Sequence, residues 1–191
     1  MRKAVISILF LFTFTFTLHA QWGVKGGADY CSITGHNPYS NHAGFHIGAT
    51  YDYQLSGNFY LQPALLFSLF QFRYPVTELY NSGKAQKYSL ELPLNLSFQP
   101  HLTEKVKLVV DAGVYFKCGI AGNYKLKGVD DLTGSSYDDF NRFDFGLNIG
   151  GGVQISKIYI GLGYQYGLIN AEKGISDYHN QITRISLGYK F

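Results

Sequence analysis

The side chains best suited to metal binding or catalysis in this chain are its histidines. His36, His42 and His179 fall in segments between predicted strands, and zinc requires three or four such ligands in a tetrahedral arrangement. Their spacing matches no recognised zinc motif. A hydrolase would need a nucleophile within hydrogen-bond reach of a base and an orienting acid, and no histidine lies beside a serine on an apolar strand face. We therefore predict no catalytic, cofactor-binding or metal-binding residue, and no cofactor.

A larger set of polar residues recurs at every second position, which is the spacing of one face of a β-strand. This face would line either a narrow ion path or binding cleft, or a closed lumen in which the charges are paired. We favour the closed lumen because buried charges must be paired and a small barrel encloses room only for side chains. We expect Glu91 to pair with a lysine or arginine. The predicted lumen residues are Lys25, Asp29, His46, Asp52, Gln62, Glu91, Asn95, Lys107, Asp111, Lys117, Arg142, Asp144, Asn148, Gln154, Gln165, Arg184 and Lys190.

The elements that would position this face are eight amphipathic strands. The last one shows the pattern most plainly, because Ile185, Leu187, Tyr189 and Phe191 alternate with polar residues up to the final residue. In the third strand the alternation is ambiguous, because apolar residues also fall on its polar face. Each strand reaches the roughly 9–11 residues that cross a bilayer at a tilt. The predicted strands are 22–30, 43–53, 58–72, 86–98, 105–120, 140–155, 157–169 and 181–191.

The connections between these strands alternate in length. Long segments at 31–42, 73–85, 121–139 and 170–180 alternate with short ones at 54–57, 99–104 and 156. Bacterial outer-membrane barrels have short periplasmic turns, longer outer loops and an even number of strands. The pattern predicts an all-β fold: an eight-stranded antiparallel up-and-down transmembrane β-barrel with both termini in the periplasm.

The N-terminus has the features of a secretory signal peptide. Arg2 and Lys3 precede an apolar run that ends at Leu18, and Ala20 precedes a plausible cleavage point. The run is shorter than the ~20 residues of a transmembrane helix. We therefore predict a cleaved signal peptide over 1–20 and a barrel domain over 21–191.

The composition favours a lipid-facing protein. Charged residues are 15% and aromatic residues 17% of the chain, against the ~25% charge of typical soluble domains. Without the two basic residues of the signal peptide the net charge falls from +3 to +1, so nucleic acid is not an expected partner. A soluble barrel of the lipocalin kind would need the large apolar face inside. An eight-stranded barrel has an interior only wide enough for side chains to fill, so we expect that face to contact lipid instead.

We also expect aromatic girdles at both rims of the barrel. The girdle residues are Trp22, Tyr51, Tyr53, Phe59, Phe98, Tyr189 and Phe191 on the periplasmic side and Tyr30, Tyr88, Phe116, Phe143 and Tyr166 on the outer side.

Short glycine- and aromatic-rich runs along the whole predicted barrel domain resemble, in order and in register, the PorT-like outer-membrane β-barrel family of Bacteroidota. Ala64 departs from the pattern, since relatives often have an acidic residue there. The resemblance implies an outer-membrane location and no specific activity. The runs are Gly23-Val24-Lys25-Gly26-Gly27, Ala43-Gly44-Phe45-His46-Ile47-Gly48-Ala49, Leu61-Gln62-Pro63, Leu90-Glu91-Leu92-Pro93-Leu94, Asp144-Phe145-Gly146-Leu147, Tyr164-Gln165-Tyr166-Gly167-Leu168 and Leu187-Gly188-Tyr189-Lys190-Phe191.

The two cysteines and the longest loop complete the inventory of reactive groups. Cys31 and Cys118 lie at the outer ends of the first and fifth strands, on opposite sides of an eight-stranded barrel. A disulfide requires Cα atoms within about 7 Å, so we predict two free thiols, with Cys118 facing lipid.

The longest loop contains acidic pairs at 130–131 and 138–139. These pairs lack the ordered oxygen ligands of a calcium loop, and we expect a solvated loop there.

The sequence therefore predicts a non-enzymatic integral protein of the cell outer membrane with a structural or interaction role. One form of that role is an accessory to protein export or envelope assembly. A small pore or solute-binding protein is the alternative, followed by a lipid-modifying enzyme. The expected partners are outer-membrane lipid, the outer-membrane assembly machinery through the C-terminal strand, and an envelope protein that the sequence does not identify.

Overall fold

Alternation of apolar and polar residues produces long β-strands throughout the described chain. The computed structural model describes residues 20–33, 42–74, 80–128, 132–137, 141–171 and 178–191. The strands within these ranges are β1 (Ala20–Ile33), β2 (His42–Ser56), β3 (Phe59–Tyr74), β4 (Tyr80–Phe98), β5 (Val106–Gly128), β6 (Leu132–Gly134), β7 (Phe143–Ile155), β8 (Ile158–Asn170) and β9 (His179–Lys190).

Eight of these strands close into an antiparallel barrel. The sheet order is β4-β3-β2-β1-β9-β8-β7-β5, and a further pairing of β4 with β5 joins its two ends. The first and last strands pair over most of their length, from Gly23 with Lys190 to Ile33 with Asn180. Every barrel strand thus has two hydrogen-bonded neighbours, as a sheet in lipid requires. The predicted fold class is confirmed.

The two faces of each strand separate by polarity as predicted. In β4, Leu90, Leu92 and Leu94 are between 41% and 49% exposed, whereas Glu91 between them is fully buried. The same alternation runs through β9 up to its last residues. Such a broad apolar exterior would be an aggregation hazard in water, and it matches the lipid-facing band of a transmembrane barrel.

Aromatic rings cluster near both ends of the barrel. At the periplasmic end, Trp22 packs edge-on against Tyr51 with ring centroids 4.7 Å apart, and a second ring pair joins β3 to the end of β4. Toward the outer end, the Phe116 and Phe145 rings lie 4.9 Å apart on β5 and β7. These contacts agree with the predicted girdles at the two membrane interfaces.

The outer ends of the middle strands differ from the prediction. The segments 73–85 and 121–139 were predicted as loops, but β3 continues to Tyr74, β4 begins at Tyr80 and β5 extends to Gly128. Above the barrel, β4 and β5 stay paired as far as Tyr80 with Gly128, and the short β6 adds to the edge of β5. With 19 and 23 residues, β4 and β5 exceed the roughly 9–11 residues that cross a bilayer, and the first residues of β4 lack the apolar alternation that marks a transmembrane strand.

Two glycines of β1 leave room for side chains that cross the lumen. A Cβ at Gly23 would lie 2.8 Å from the Lys190 side chain. Gly27 lies between His46 on β2 and Ser186 on β9 in the strand register, and a Cβ there would clash with the backbone oxygen of Ile185. The missing side chains let residues two strands apart make contact over β1.

The described turns at the periplasmic end are tight. Gly57 follows β2 with a φ of 53°, and Ser156 follows β7 with a φ of 54°. Glycine adopts this left-handed conformation freely, whereas a serine is strained there.

Among the described residues there is no helix with the length and hydropathy needed to span a membrane.

Candidate functional site

The centre of the lumen is occupied by an ion pair that joins opposite walls of the barrel. Glu91 on β4 and Arg184 on β9 are four strands apart in either direction around the sheet. Arg184 donates from Nη1 to Glu91 Oε1 at 2.6 Å and from Nη2 to Oε2 at 2.8 Å. Glu91 is 0% exposed and Arg184 6% exposed. This two-point pairing fixes both the distance and the orientation of the two side chains, and it confirms that Glu91 pairs with a basic residue.

Arg184 extends the contact to a second carboxylate. Its Nε donates to Asp29 Oδ1 at 3.1 Å. The same Asp29 oxygen lies 2.7 Å from Nδ1 of His46, and Nε2 of His46 lies 3.1 Å from the Ser186 hydroxyl. A carboxylate only accepts hydrogen bonds, so Nδ1 of His46 is the donor in its contact with Asp29.

Further donors complete the coordination of Glu91. Lys117 on β5 places its Nζ 3.3 Å from Oε2, and Gln165 on β8 donates to Oε1 at 2.7 Å. We call Glu91, Arg184, Asp29, His46, Ser186, Lys117 and Gln165 the central network. These residues lie on six of the eight barrel strands, so the network ties most of the wall together. Burying a charge costs free energy unless the charge is paired and hydrogen-bonded, and the ion pairs and donors around Glu91 meet that condition.

Asp29, His46 and Ser186 have the order of contacts seen in a serine hydrolase triad. Two features of the site oppose that chemistry. Arg184 holds the same Asp29 oxygen that contacts His46, so the carboxylate is already neutralised. His46 is 1% and Ser186 7% exposed, so bulky substrate groups do not reach the hydroxyl in this conformation.

A second cluster closes the periplasmic end. Lys190 Nζ lies 2.6 Å from Asp52 Oδ1, and Gln62 donates to the same oxygen at 2.8 Å. Gln99, beyond the end of β4, donates to the other carboxylate oxygen at 3.4 Å. Lys190 is the last residue of β9, so the strand that pairs with β1 contributes directly to this cluster.

A cavity of about 40 Å³ lies between the central network and the periplasmic cluster. Lys25, Asp111 and Asn95 line it, and Asn95 donates to Asp111 Oδ1 at 3.0 Å. Asn148 also lines the cavity, and its buried Nδ2 has no partner among the described residues. A polar space of this size accommodates ordered water.

The outer mouth has a different construction. A second cavity of about 40 Å³ lies on the other side of the central network, and Tyr137 from the segment after β6 lies against it. The Tyr137 hydroxyl donates to the backbone oxygen of Tyr88 at 3.0 Å, and burial raises the pKa of that hydroxyl.

A small apolar cluster also lies at the outer mouth. It consists of Cys31, Phe70, Ala171 and Ile182. Phe70 and the buried Leu66 account for the ambiguous third strand, since both lie on the lumen face.

One residue of the predicted lumen set is placed wrongly. Arg142 is exposed at a bend before β7, with its guanidinium 5.3 Å from the Tyr137 ring centroid. The predicted strand began at residue 140, whereas β7 begins at Phe143, so the alternation was extended too far. The ionic residues Asp29, Asp52, Glu91, Lys117, Asp144, Arg184 and Lys190 are buried as predicted.

Some of the reactive groups singled out in the sequence lie outside the described residues, namely His36 and the acidic pairs at 130–131 and 138–139. His179 is described, and its ring centroid lies 5.5 Å from that of Tyr166. In the described ranges, no group of three or more His, Cys, Asp or Glu residues is arranged to hold a metal ion. Both cysteines are free thiols, as predicted, with Cys31 buried and Cys118 partly exposed.

Two site residues were absent from the prediction, and only the second of them lacked a signal in the sequence. Tyr115 was not predicted in the lumen, but it is fully buried and donates to Asp144 at 3.0 Å. Tyr115 lies two residues before Lys117 on β5 and therefore on the same face of the strand. Strict counting of the alternation would have placed its side chain in the lumen. Tyr137 follows β6 rather than a barrel strand, and strand periodicity does not predict such a contact.

Comparisons with known proteins agree with this architecture. Residues 13–172 match the family model described as outer membrane protein beta-barrel domain. Similar solved structures include neisserial surface protein A, 14% identical over 91% of this chain and 100% of that chain with a TM-score of 0.53. Another is the outer membrane protein OprG from Pseudomonas aeruginosa, 16% identical over 91% of this chain and 96% of that chain with a TM-score of 0.51.

The attachment invasion locus protein Ail of Yersinia pestis is 17% identical over 91% of this chain and 100% of that chain, with a TM-score of 0.46. No curated protein sequence matches the chain. Identities this low concern the fold alone, whereas the family match covers most of the chain. The chain therefore belongs to the outer membrane protein beta-barrel domain family, and its location is the outer membrane.

Proposed function

We propose that this protein is a non-enzymatic outer-membrane barrel whose lumen is closed by ion pairs and which acts through its outer surface. The observation that supports closure is the Glu91–Arg184 pair across the lumen, together with the burial of both side chains. Eight strands enclose little more than their own side chains, so the central network leaves no room for a continuous water path.

Conductance in planar bilayers tests closure. The refolded mature protein is expected to give no stable open channel, whereas Glu91→Ala removes the residue that holds Arg184 and Lys117 and is expected to give channel openings. Glu104→Ala, in an exposed periplasmic turn, is the matched control and should behave as the parent protein. Stable conductance by the parent protein would contradict the proposal.

A small pore is the second candidate, and the two cavities favour it. They lie on opposite sides of the central network, each with a volume of about 40 Å³, so a rearrangement of the network would be needed to join them. The same conductance experiment separates the two functions, because a pore conducts without substitution.

A lipid-modifying enzyme is a third candidate, favoured by the Asp29–His46–Ser186 contacts. Under our proposal neither phospholipid nor lipid A is turned over by the protein in mixed micelles. Turnover that disappears in Ser186→Ala, with unchanged unfolding, would establish an enzyme instead.

The interaction role rests on the extension of β4, β5 and β6 above the barrel. Regular strands that rise beyond the membrane present a defined surface rather than a short link between barrel strands. Cross-linking in native outer membranes, followed by mass spectrometry, should recover one dominant partner attached to this extension. Recovery of only abundant, unselective neighbours would contradict an interaction role.

We further propose that export removes residues 1–20, that the C-terminal strand engages the outer-membrane assembly machinery, and that the chain is a PorT-like family member. The apolar run and the terminal aromatic residue support the first two proposals. N-terminal sequencing of protein from outer membranes should give Gln21 as the first residue. Removal of Phe191 should reduce the amount of assembled barrel without affecting export.

A further inference from the structure

The exposed charged side chains in the periplasmic connections are concentrated on one side of the barrel. The connection between β2 and β3 contains no charged residue, whereas Glu104 and Lys105 are exposed between β4 and β5, and Lys157 between β7 and β8. A hydrogen bond from the Ser156 backbone N–H to the Lys105 carbonyl oxygen at 2.7 Å joins these two connections. The closure of the barrel therefore brings Lys105 and Lys157 to one place on the rim, which we call the lysine corner.

The lysine corner has no carboxylate partner among the described residues, because the ion pairs of the barrel involve other side chains. Asp52 at this end is paired with Lys190. The other negative groups at the periplasmic rim are Glu104 and the carboxylate of Phe191, and neither forms an ion pair with the corner. Residues 1–19, which are outside the described ranges, contain no acidic residue, and the other undescribed segments connect the outer ends of strands. The two ammonium groups are therefore available to a ligand.

The lysine corner borders the surface that faces lipid. Lys157 Nζ lies 5.8 Å from the ring centroid of Tyr189, and aromatic girdle residues such as Tyr189 lie at the level of the lipid head groups. A ring attracts an ammonium group without neutralising its charge. Beside this contact, Ile155 and Ile158 are 54% and 51% exposed on the apolar exterior. A ligand at the corner therefore meets positive charge next to a surface that contacts acyl chains.

We propose that the lysine corner binds the phosphate of a glycerophospholipid in the periplasmic leaflet of the outer membrane, while the acyl chains of that lipid lie along Ile155 and Ile158. Two ammonium groups suit a phosphate, because each is a point charge with three hydrogen-bond donors. The adjoining apolar surface favours a ligand with hydrocarbon chains, which a soluble phosphate lacks. This site is at the opposite end of the barrel from the extension of β4, β5 and β6, and it does not depend on closure of the lumen.

The test is native mass spectrometry of the full mature barrel, released from detergent in the presence of three matched probes. Dimyristoyl phosphatidylglycerol has both phosphate and chains, dimyristoylglycerol has the same chains without phosphate, and glycerol 1-phosphate has the phosphate without chains. One molecule of the phospholipid should bind about tenfold more tightly than dimyristoylglycerol, because each basic residue near a lipid surface strengthens the attraction of an anionic lipid. Glycerol 1-phosphate should not displace the bound phospholipid.

Variants of the corner test the assignment of the site. Lys105→Gln and Lys157→Gln should each weaken binding of the phospholipid about fivefold, whereas Lys157→Arg keeps the charge and should bind as the parent protein does. Lys125→Gln removes an exposed lysine near the outer end of β5, and as the matched control it should leave the affinity unchanged. The proposal is overturned if dimyristoylglycerol binds as tightly as the phospholipid, if glycerol 1-phosphate displaces the phospholipid, or if Lys125→Gln weakens binding as much as the corner variants.

Discussion

The centre and the outer mouth of the lumen use similar side chains in opposite ways. In the centre, Glu91 and Arg184 satisfy each other across the barrel at 2.6 Å. At the mouth, Arg142 is exposed and lies over an aromatic ring, beside an apolar cluster and a cavity. The difference teaches that the charges at the middle of the lumen are buried and paired with each other, whereas the Arg142 charge at the mouth is exposed.

The comparison predicts the largest loss of stability at the centre. Glu91→Gln keeps the shape but removes the charge that two buried cations share, and breaking a buried ion pair costs about 3–5 kcal/mol. Equilibrium unfolding of the barrel in lipid vesicles measures this difference. Glu104→Gln in the exposed turn should change the stability by less than about 0.5 kcal/mol. Equal effects of the two substitutions would contradict a stabilising central network.

The apolar cluster at the mouth should give an intermediate effect. Cys31→Ala shortens a side chain that is 3% exposed and packs within this cluster, so we expect a loss of about 1 kcal/mol. Cys118→Ala is the control on the outer face. Thiol labelling checks the same placement, because a membrane-permeable maleimide should modify Cys118 in the folded barrel and spare Cys31 until the protein is unfolded. Modification of Cys31 first would reverse the assignment.

The smallest effect is expected for the exposed charge at the mouth. Arg142→Gln should change the free energy of unfolding by less than about 0.5 kcal/mol, because the guanidinium is already in contact with water. If unfolding of this variant resembled that of Glu91→Gln, Arg142 would belong to the structural network and the distinction between the two regions would fail.

Much of the barrel was predictable from the sequence because lipid and lumen impose opposite polarity on alternate residues. That constraint identified the lumen side of β4, β5 and β9, including Glu91, Lys117 and Arg184. It does not apply to the outer part of β4, which lies beyond the length needed to cross a bilayer, and the strand there was mistaken for a loop. The bend at Arg142 has a different cause, because the alternation of β7 was extended past its first residue, Phe143.

The pairing inside the lumen was not predictable, although its members were. Glu91 and Arg184 are 93 residues apart, and they meet because the barrel closes with β4 opposite β9. Sequence alternation assigns a face to each residue but does not set the stagger between strands. The contact of His46 with Ser186 depends in addition on Gly27, which has no side chain between them.

The most direct test of the account is a double-mutant cycle between Glu91 and Arg184. Unfolding would be measured for Glu91→Gln, Arg184→Met and the double variant in the same lipid vesicles. If the two side chains form the pair that closes the barrel, the double variant should be more stable than the sum of the single losses predicts, by about 1–3 kcal/mol. Strictly additive losses would contradict a direct pair across the lumen.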